Sequence, residues 1–387
     1  MQQKNNKLKK ALVVKLTPIE LLDSAVMRMI GVVNGLCENG YDVTILATPF
    51  FGELTHELQP CLQRSKVIRL GSGGSTLYNS LGSGSKLKKS IRDILSKTAR
   101  RLYPYDNSYA YLKYVDIKML PEDQYDVVIS LSDPKTSHLA VKKFIMQGLK
   151  YNKWVQYWGD PFTYDITSEL IYPKFMKKSV ERELMGNADR IVYVSPFTLE
   201  VQKNAFKNKA DKMYCCVPPY LKTRVVEKEE NGRFDVGYFG SYMTVARNIL
   251  PLYEACAEID DIHMTIVGNG DVTLEGKENI TILPRGEVEM MEDNTDLLVC
   301  ILNSRGTQIP GKIYHYAATN KAILVITDGE NGDRIREFLS EFDRYYFCKN
   351  DKNSIIKAIS EIKNDTRKWA PCAAFESGSV AYNLIGE

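Results

Sequence analysis

Short apolar runs rich in β-branched residues alternate along the chain with longer stretches of helical periodicity. Such runs predict buried strands, and their alternation with helices predicts a parallel sheet covered by helices on both faces. In the first half the helical stretches include 25–38 and 136–148. The predicted strands of this half, given with the number of their first residue, are ALVVKL at 11, DVTILA at 42, KVIRL at 66, YDVVISL at 125, KWVQYW at 153, RIVYVS at 190 and KMYCCV at 212.

The second half repeats this scheme after a polar stretch, LKTRVVEKEENGR, that sustains neither a helical nor a strand period. Its predicted strands are FDVGYF at 234, HMTIVG at 263, NITIL at 279, DLLVCIL at 296, AILVIT at 322 and YYFC at 345. We therefore predict an α/β protein of two Rossmann-like, doubly wound parallel-sheet domains that face an interdomain cleft. The predicted boundaries are 1–218 for the first domain, 219–233 for a linker and 234–368 for the second domain.

One segment interrupts the alternation, and we treat 71–120 as a flexible and basic insertion. Residues 71–85 are rich in Gly and Ser, which predicts a flexible loop. The next stretch, KLKKSIRDILSKTARRLY, places its apolar residues on one helical face and its cations on the rest. This is the pattern of an interfacial membrane helix, but also of a core-facing helix with a solvated basic face. The candidate membrane contacts are Lys88, Lys89, Arg92, Arg100 and Arg101.

Composition narrows the class of protein. The 387 residues are 44% hydrophobic and 26% charged, which is typical of a soluble globular protein, and the net charge of +3 is too small to indicate nucleic-acid binding. The eight cysteines have no CxxC spacing, so we expect free thiols in a reducing compartment and neither a zinc site nor disulfides. No segment reads as a signal peptide or a membrane span, and we expect a cytoplasmic protein.

Candidate phosphate chemistry lies in the second half. Residues 306–327 predict a loop, a helix over 312–319, a break at Asn320 and a buried strand. Lys312 falls in the first turn of that helix, where the helix dipole disfavours a cation unless an anion is also present. Lys312 is therefore a candidate phosphate ligand, and the alternative is a solvated lysine on a surface helix.

Two glycine-containing loops precede this unit. Gly240 ends the strand at 234 and leads through a short loop to Arg247, just before a helical stretch at 250–258. Glycine lets a phosphate approach the backbone, the helix start offers unpaired N–H groups, and an arginine can neutralise the charge. The sequence IVGNGD at 266–271 is by itself a weak signal, and a tight turn explains it equally well.

The order of these motifs resembles a known family. Pro310, Lys312, Tyr314, Tyr316, Ala318, Lys321 and the following Ile-Leu-Val resemble the pattern P-x-K-x-[FY]-E-Y-x-[AG]-x-x-K-P-[IV]. This pattern belongs to the nucleotide-binding half of GT-B glycosyltransferases, of the family four or group 1 enzymes that make bacterial surface polysaccharides. The resemblance extends over residues 234–350. It departs from the family at three positions: the usual acidic pair is replaced by Thr307 and His315, and the proline after the lysine by Ala322.

The resemblance implies a metal-independent hexosyltransferase, usually retaining, that moves a sugar from a nucleotide-diphosphate sugar. UDP is the expected nucleotide, the acceptor is a hydroxyl of a lipid-linked molecule or a polysaccharide, and no cofactor is needed beyond this co-substrate. Arg247 and Lys312 are implied to stabilise the leaving diphosphate, and His315 to contact the ribose or a phosphate. The implied donor-binding residues are Gly240, Ser241, Arg247, Gly268, Gly270, Arg285, Gly286, Thr307, Pro310, Lys312, Ile313 and His315.

The first half is expected to bind the acceptor and to supply any catalytic base. Asp160 follows a predicted strand, where a carboxylate could accept the proton of the acceptor hydroxyl or cap the turn before Pro161. His138 is a second candidate base, although its place within a predicted helix favours packing. The loop after the first strand offers Asp23 and Ser24 as acceptor contacts. The resemblance further implies that the final segment, 369–387, forms a helix that returns to the first domain.

Two other functions remain open at the level of the sequence. One is a nucleotide-sugar epimerase on the same fold, which would use several acidic and histidine side chains. The other is a non-catalytic GT-B subunit that binds a partner transferase or an acceptor, as the loss of the acidic pair suggests. The retained Arg247 and Lys312 favour a working transferase over a binding subunit.

Overall fold

A computed structural model describes residues 8–21, 23–53, 59–71, 101–165, 168–228 and 231–387. The chain divides into two compact units. Unit 1 contains the described residues up to Val217 together with Ser377–Glu387, and unit 2 contains those of Pro218–Glu376.

Unit 1 is built on a sheet whose seven strands, within the described part of the chain, all pair in parallel. The order is β3-β2-β1-β4-β5-β6-β7, so the chain reverses its direction of winding between β1 and β4. Every strand predicted for the first half is confirmed. The strands are β1 (Lys9–Val14), β2 (Tyr41–Ala47), β3 (Lys66–Arg69), β4 (Gln124–Leu131), β5 (Lys150–Trp158), β6 (Arg190–Tyr193) and β7 (Met213–Cys215).

Helices cover both faces of this sheet. The described helices of unit 1 are α1 (Ser24–Glu38), α2 (Pro60–Arg64), α3 (Thr136–Met146), α4 (Lys174–Met185), α5 (Pro196–Ala205) and, at the end of the chain, α11 (Ser377–Ile385). In α1 the buried residues Val26, Met29, Ile30 and Val33 recur at helical spacing and face the sheet. The helix α11 packs against α1, while α4 packs against α3.

The predicted insertion differs from the structure in its last part. Residues 72–100 lie outside the described residues, and with them the membrane candidates Lys88, Lys89, Arg92 and Arg100. Residues 101–120, which were also expected to be flexible, are held instead by two short 3-10 helices, Asn107–Tyr114 and Ile117–Met119. Apolar side chains of both 3-10 helices pack against the core of unit 1, and the first of the two helices contacts α3.

Unit 2 has a second sheet, of six described strands that also pair in parallel, in the order β10-β9-β8-β11-β12-β13. These are β8 (Phe234–Phe239), β9 (Ile262–Val267), β10 (Ile280–Leu283), β11 (Leu297–Ile301), β12 (Ala322–Thr327) and β13 (Tyr346–Lys349). Its helices are α6 (Leu250–Ala257), α7 (Glu289–Asp293), α8 (Lys312–Tyr316), α9 (Gly332–Ser340) and α10 (Lys352–Lys363). The helix predicted over 312–319 is shorter and ends at Tyr316.

The polar stretch between the sheets belongs to unit 2, which differs from the expected linker over 219–233. Arg224 is paired with the buried carboxylate of Glu292, at 2.7 Å from Nη2 to Oε2. Lys228 is paired with Asp235, at 2.8 Å from Nζ to Oδ2, and with Asp296. These ion pairs attach the stretch to the second sheet, so the division of the chain falls after Val217.

Candidate functional site

The strand order of unit 2 reverses between β8 and β11. In a doubly wound sheet the loops after the two strands at such a reversal diverge to opposite faces, and the crevice between them is the usual ligand site. The loop after β8 carries Gly240 and Arg247, and the loop after β11 leads to Lys312. The residues expected to bind phosphate therefore lie on the two loops that border this crevice.

The glycines of IVGNGD pack the loop after β9 against the loop after β8. A Cβ on Gly268 would lie 2.1 Å from the carbonyl oxygen of Gly240, and one on Gly270 would fall within the ring of Tyr242. The backbone N–H of Tyr242 donates to the carbonyl of Asn269 at 3.2 Å. These glycines thus fix the path of the loop that begins at Gly240.

Two further contacts hold that loop. The Asp271 carboxylate accepts hydrogen bonds from the backbone N–H of Thr244 at 2.9 Å and from its hydroxyl at 2.7 Å. The backbone N–H of Ser304, just after β11, donates to the carbonyl of Ala246 at 2.8 Å. Arg247 follows directly, half-buried, and its guanidinium makes no hydrogen bond or ion pair with any residue that the structure describes. Its position is fixed by the backbone, and its charge is not neutralised by a described carboxylate.

Lys312 is the first residue of α8, and its ammonium is neutralised. Nζ lies 2.9 Å from Oε1 of Glu292 on α7, and the lysine side chain is 39% exposed. Glu292 is buried and also pairs with Arg224. The anion that the first-turn lysine requires is thus, in this structure, a carboxylate of the protein.

The charges of Arg247 and Lys312 converge near the end of β11. Burial raises the pKa of the Cys300 thiol to about 12, and the positive charges of Arg247 and Lys312 both oppose that rise. Cys300 is the penultimate residue of β11 and is buried. Both cations therefore lie close enough to the carboxyl end of this strand for their charges to act on the same thiol.

The remaining donor candidates of unit 2 differ in their exposure. Arg285 and Gly286 are exposed after β10, and Ser241 is exposed after β8. Ile313 is buried in α8, while His315 is half-buried and on the same helix as Lys312. Thr307 and Pro310 are half-buried on the loop before α8.

Glu292 was missed by the sequence reasoning. Its only signal is the acidic run of α7, EMMED, which reads as an ordinary solvated turn. Its pairing with Lys312 and Arg224 joins residues far apart in the chain, and no local pattern predicts such a contact.

Unit 1 has a second charged cluster at the reversal between β1 and β4. Lys15, directly after β1, is fully buried and donates to the carbonyl of Asp133, and Arg28 on α1 donates to the carbonyl of Ser132. Burial, together with the charge of Arg28, lowers the pKa of Lys15 to about 8. Lys135 pairs with Asp133 at 2.7 Å from Nζ to Oδ1. The sequence reasoning missed this cluster, although a lysine that ends an apolar strand was a visible signal.

Asp160 lies next to this cluster, after β5. Burial raises the pKa of its carboxyl, and the charge of Asp133 adds to the rise. The turn after Pro161 is held by Glu181, whose carboxylate accepts from the backbone N–H groups of Phe162 and Thr163 at 2.9 Å. Asp160 itself makes no hydrogen bond or ion pair within the described part of the chain. The side chain that caps this turn is therefore Glu181.

The other candidates of unit 1 have structural contacts. His138 is buried in α3, stacks on Trp158 with centroids 4.5 Å apart, and shares a 2.8 Å hydrogen bond between Nδ1 and the Ser130 hydroxyl. Burial lowers the pKa of His138 to about 3, so it is neutral and packs as the helical pattern favoured. Asp23 caps α1 by accepting from the N–H of Val26 at 2.8 Å, and Ser24 is exposed beside it.

Four further observations concern the cysteines, the membrane candidates and the side chains that could hold a metal. All eight cysteines are free thiols, and Arg101, the one described membrane candidate, is exposed. Within the described ranges, no helix combines the length and the apolar character that crossing a membrane requires. No group of three or more His, Cys, Asp or Glu side chains in these ranges is arranged to hold a metal ion.

No model of a known protein family matches the chain, and no curated protein matches it significantly. Solved structures do. Sucrose-phosphate synthase from Thermosynechococcus elongatus is 14% identical with a TM-score of 0.55, and the match covers 98% of this chain and 94% of that one. The lipopolysaccharide outer core galactosyltransferase WaaB is 11% identical with a TM-score of 0.55, over 97% and 98% of the two chains.

HepE from Anabaena, solved in complex with UDP and glucose, is 12% identical with a TM-score of 0.51, over 98% of this chain and 96% of that one. At such identities the likeness is one of fold. Together with the two parallel sheets, each with one reversal of strand order, it shows that the chain has the two-domain GT-B fold.

Proposed function

We propose that the protein is a glycosyltransferase that moves a hexose-type sugar from a nucleotide-diphosphate sugar to a hydroxyl of a lipid-linked or polysaccharide acceptor. The observation that carries this proposal is that Arg247 and Lys312 lie on the two loops that border the crevice between β8 and β11 in unit 2. Two cations on either side of a crevice suit a diphosphate, which carries charge on both phosphoryl groups.

The two cations have different roles in this proposal. As the bond between the anomeric carbon and the diphosphate oxygen breaks, negative charge grows on the leaving group, and preorganised cations stabilise it. Arg247 has no described anionic partner, so its charge is available. Lys312 exchanges its contact with Glu292 for the diphosphate. Because these side chains supply the positive charge, we propose transfer without a metal ion.

Other residues of unit 2 are proposed to hold the rest of the donor. On the family resemblance, Arg285 and Gly286 are proposed to contact the base and His315 to contact the ribose. Gly240, Ser241, Gly268, Gly270, Thr307, Pro310 and Ile313 complete the proposed donor site.

Unit 1 is proposed to bind the acceptor, with Asp160 as the base. The acceptor oxygen forms the new bond to the anomeric carbon on the face from which the diphosphate departs, the electron pair of the broken bond leaves with the nucleotide diphosphate, and the hydroxyl proton passes to the Asp160 carboxylate. Asp23 and Ser24 are proposed acceptor contacts, because they lie where the loop after β1 meets the start of α1, at the reversal point.

The structural neighbours support the choice of donor and acceptor. HepE binds UDP and glucose, and WaaB is a galactosyltransferase of the lipopolysaccharide outer core. We propose a UDP-sugar donor and a glycan acceptor for this chain as well. We propose retention of the anomeric configuration because of the family resemblance, and NMR of the product tests it. We propose a cytoplasmic location because the cysteines are free thiols.

The test is a transfer assay. Purified protein is incubated with each of several radiolabelled UDP-, GDP- and dTDP-hexoses and a lipid extract, with and without EDTA. We expect a labelled lipid product that forms equally well with EDTA and that Arg247→Ala abolishes. If no UDP-, GDP- or dTDP-sugar gives transfer while the folded protein still binds nucleotide, the non-catalytic subunit is the better account.

A further inference from the structure

Two segments of unit 1 form an exposed surface that combines large apolar side chains with cations. One is 101–103, which leads to the 3-10 helix Asn107–Tyr114, and the other is 171–178, which contains the start of α4. We refer to these two segments together as the basic apolar surface.

Direct contacts join the two segments. The backbone N–H of Ile171 donates to the carbonyl of Arg101 at 3.2 Å, and the hydroxyl of Tyr172 donates to the carbonyl of Leu102 at 2.8 Å. Tyr103 packs edge-on against Tyr105, with ring centroids 5.7 Å apart. The surface is thus one continuous patch rather than two unrelated loops.

Its apolar side chains are unusually exposed. Phe175 is 72% exposed, Ile171 63% and Leu102 53%, and Tyr103 and Met176 are also exposed. Single exposed apolar residues are normal, but a contiguous group of this size marks an interaction site. Aromatic and aliphatic side chains next to lysines are the residues that suit the headgroup region of a lipid bilayer.

The charge of the surface is entirely positive. Arg101, Lys174, Lys177 and Lys178 fall within the two segments, which contain no acidic residue. The nearest acids along the chain are Glu169, which is exposed, Asp106, whose carboxylate accepts from the backbone N–H groups of Ser108 and Thr136, and Glu181, which is buried and occupied by backbone N–H groups. The first turn of α4 has no acidic residue, although lysines there are unfavourable beside the positive end of the helix dipole. An external anion at this surface would offset that cost.

We propose that the basic apolar surface binds an anionic lipid bilayer, with Ile171 and Phe175 entering the headgroup boundary and the lysines meeting lipid phosphates. Sequence continuity supports this choice of partner, because residues 101–103 are the end of the basic amphipathic segment 86–103, for which membrane contact was one of the two interpretations. The inference stands on unit 1 alone and does not depend on the transfer reaction.

The experiment is co-sedimentation of the full chain with vesicles of phosphatidylglycerol and phosphatidylcholine, or of phosphatidylcholine alone. We expect binding to the anionic vesicles that weakens as salt is raised. Lys174→Glu with Lys178→Glu should weaken it by about 30-fold or more, at roughly fivefold for each lost cation. Ile171→Ser with Phe175→Ser should weaken it about tenfold or more, since both side chains lose burial in lipid.

The matched control is Tyr382→Ser. Tyr382 is 51% exposed on α11, which packs on α1, whereas α4 packs on α3. Helices that wind away from the reversal in opposite directions cover opposite faces of a sheet, so Tyr382 lies on the other face. This variant should bind vesicles like the wild type. A melting temperature of each variant close to that of the wild type, measured without nucleotide, shows that its fold is intact and keeps this result independent of the donor site.

Three outcomes would overturn the proposal. These are equal binding to neutral and anionic vesicles, unchanged binding by the charge-reversed variant, and concentration-dependent self-association that the Ile171 and Phe175 variant abolishes while vesicles are not bound. The last would assign the surface to a second copy of this chain.

Discussion

Arg247 and Lys312 have the same charge in neighbouring loops but different surroundings. Lys312 is held by Glu292 at 2.9 Å, whereas Arg247 has no ionic partner within the described residues. Residue type and place in the sequence were enough to select both cations. They did not show that a carboxylate of the protein pairs with Lys312. Glu292 lies twenty residues earlier in the chain, and only the fold brings the two side chains together.

Asp160→Asn tests the proposed base. We expect kcat to fall about 100- to 10,000-fold while nucleotide binding is unchanged, because only proton transfer is removed. The pKa of Asp160 is raised above 3.8 by burial, and the base works only when deprotonated. Wild-type activity should therefore be lost as the pH falls through the pKa of Asp160, which lies above the pKa of an ordinary aspartate.

Lys135→Gln provides a second readout for Asp160. The positive charge of Lys135 lowers the pKa of Asp160, so its removal should move the acidic limb of the pH–rate profile to higher pH. An unmoved limb, or full activity of Asp160→Asn, would show that Asp160 does not take the proton.

His138 predicts a pH-dependent stability of unit 1. Its pKa is about 3 in the folded state and about 6.5 when unfolded, so the unfolded chain binds more protons between these values. The contribution of His138 to the free energy of unfolding is fully present above pH 6.5 and decreases as the pH falls toward 3. At pH 5 the free energy of unfolding is lower by about 2 kcal/mol. Urea unfolding at pH 7 and pH 5 should show this loss in the wild type, and a smaller loss in His138→Gln. Equal losses in both would contradict it.

At the level of elements, the hydrophobic pattern predicted every strand. Buried parallel strands are continuous apolar runs, and β12 (AILVIT) and β11 (LLVCI) show this directly. Helix ends were predicted less well. The helix that begins at Lys312 ends at Tyr316. The hydroxyl of Thr319 donates to the carbonyl of Tyr316 at 2.8 Å, and such a side-chain hydrogen bond to the backbone competes with continuation of the helix. The packing of residues 101–120 was not predicted either, because it depends on contacts with α3.

Gly268→Ala tests the packing of the two loops in unit 2. The added Cβ would meet the backbone of Gly240 at 2.1 Å, and backbone cannot rotate away as a side chain can. We expect a loss of about 1–3 kcal/mol in the free energy of unfolding, with weaker nucleotide binding as the loop of Arg247 shifts. Gly276→Ala, outside the proposed donor site, is the matched control, because its Cβ would meet only the carbonyl oxygen of Ile280, at an ordinary contact distance of 3.5 Å. Equal stability of the two variants in urea unfolding would refute this packing.

At the scale of the whole molecule, the alternation of strands and helices predicted two doubly wound domains, and the fold confirms that architecture. The exact division of the chain did not follow from sequence. The polar stretch was assigned to a linker because it lacks periodicity, yet Arg224 and Lys228 tie it to unit 2 by ion pairs with distant residues. Gly35 of α1 likewise has a partner at the far end of the chain, since its missing Cβ leaves room for the backbone of Ser377.

The central claim is that unit 2 binds a nucleotide diphosphate between Arg247 and Lys312. The most direct measurement is the melting temperature of the full chain with UDP, GDP, CMP and dTDP, for the wild type, Arg247→Ala, Lys312→Ala and the control Asp160→Asn. A nucleotide at about 100 times its dissociation constant adds roughly 2.7 kcal/mol to the stability of the folded state.

We predict that UDP raises the melting temperature of the wild type and of Asp160→Asn, and that both cation variants lose most of this rise. No stabilisation by any of the four nucleotides, or an unchanged rise in Arg247→Ala, would contradict the account.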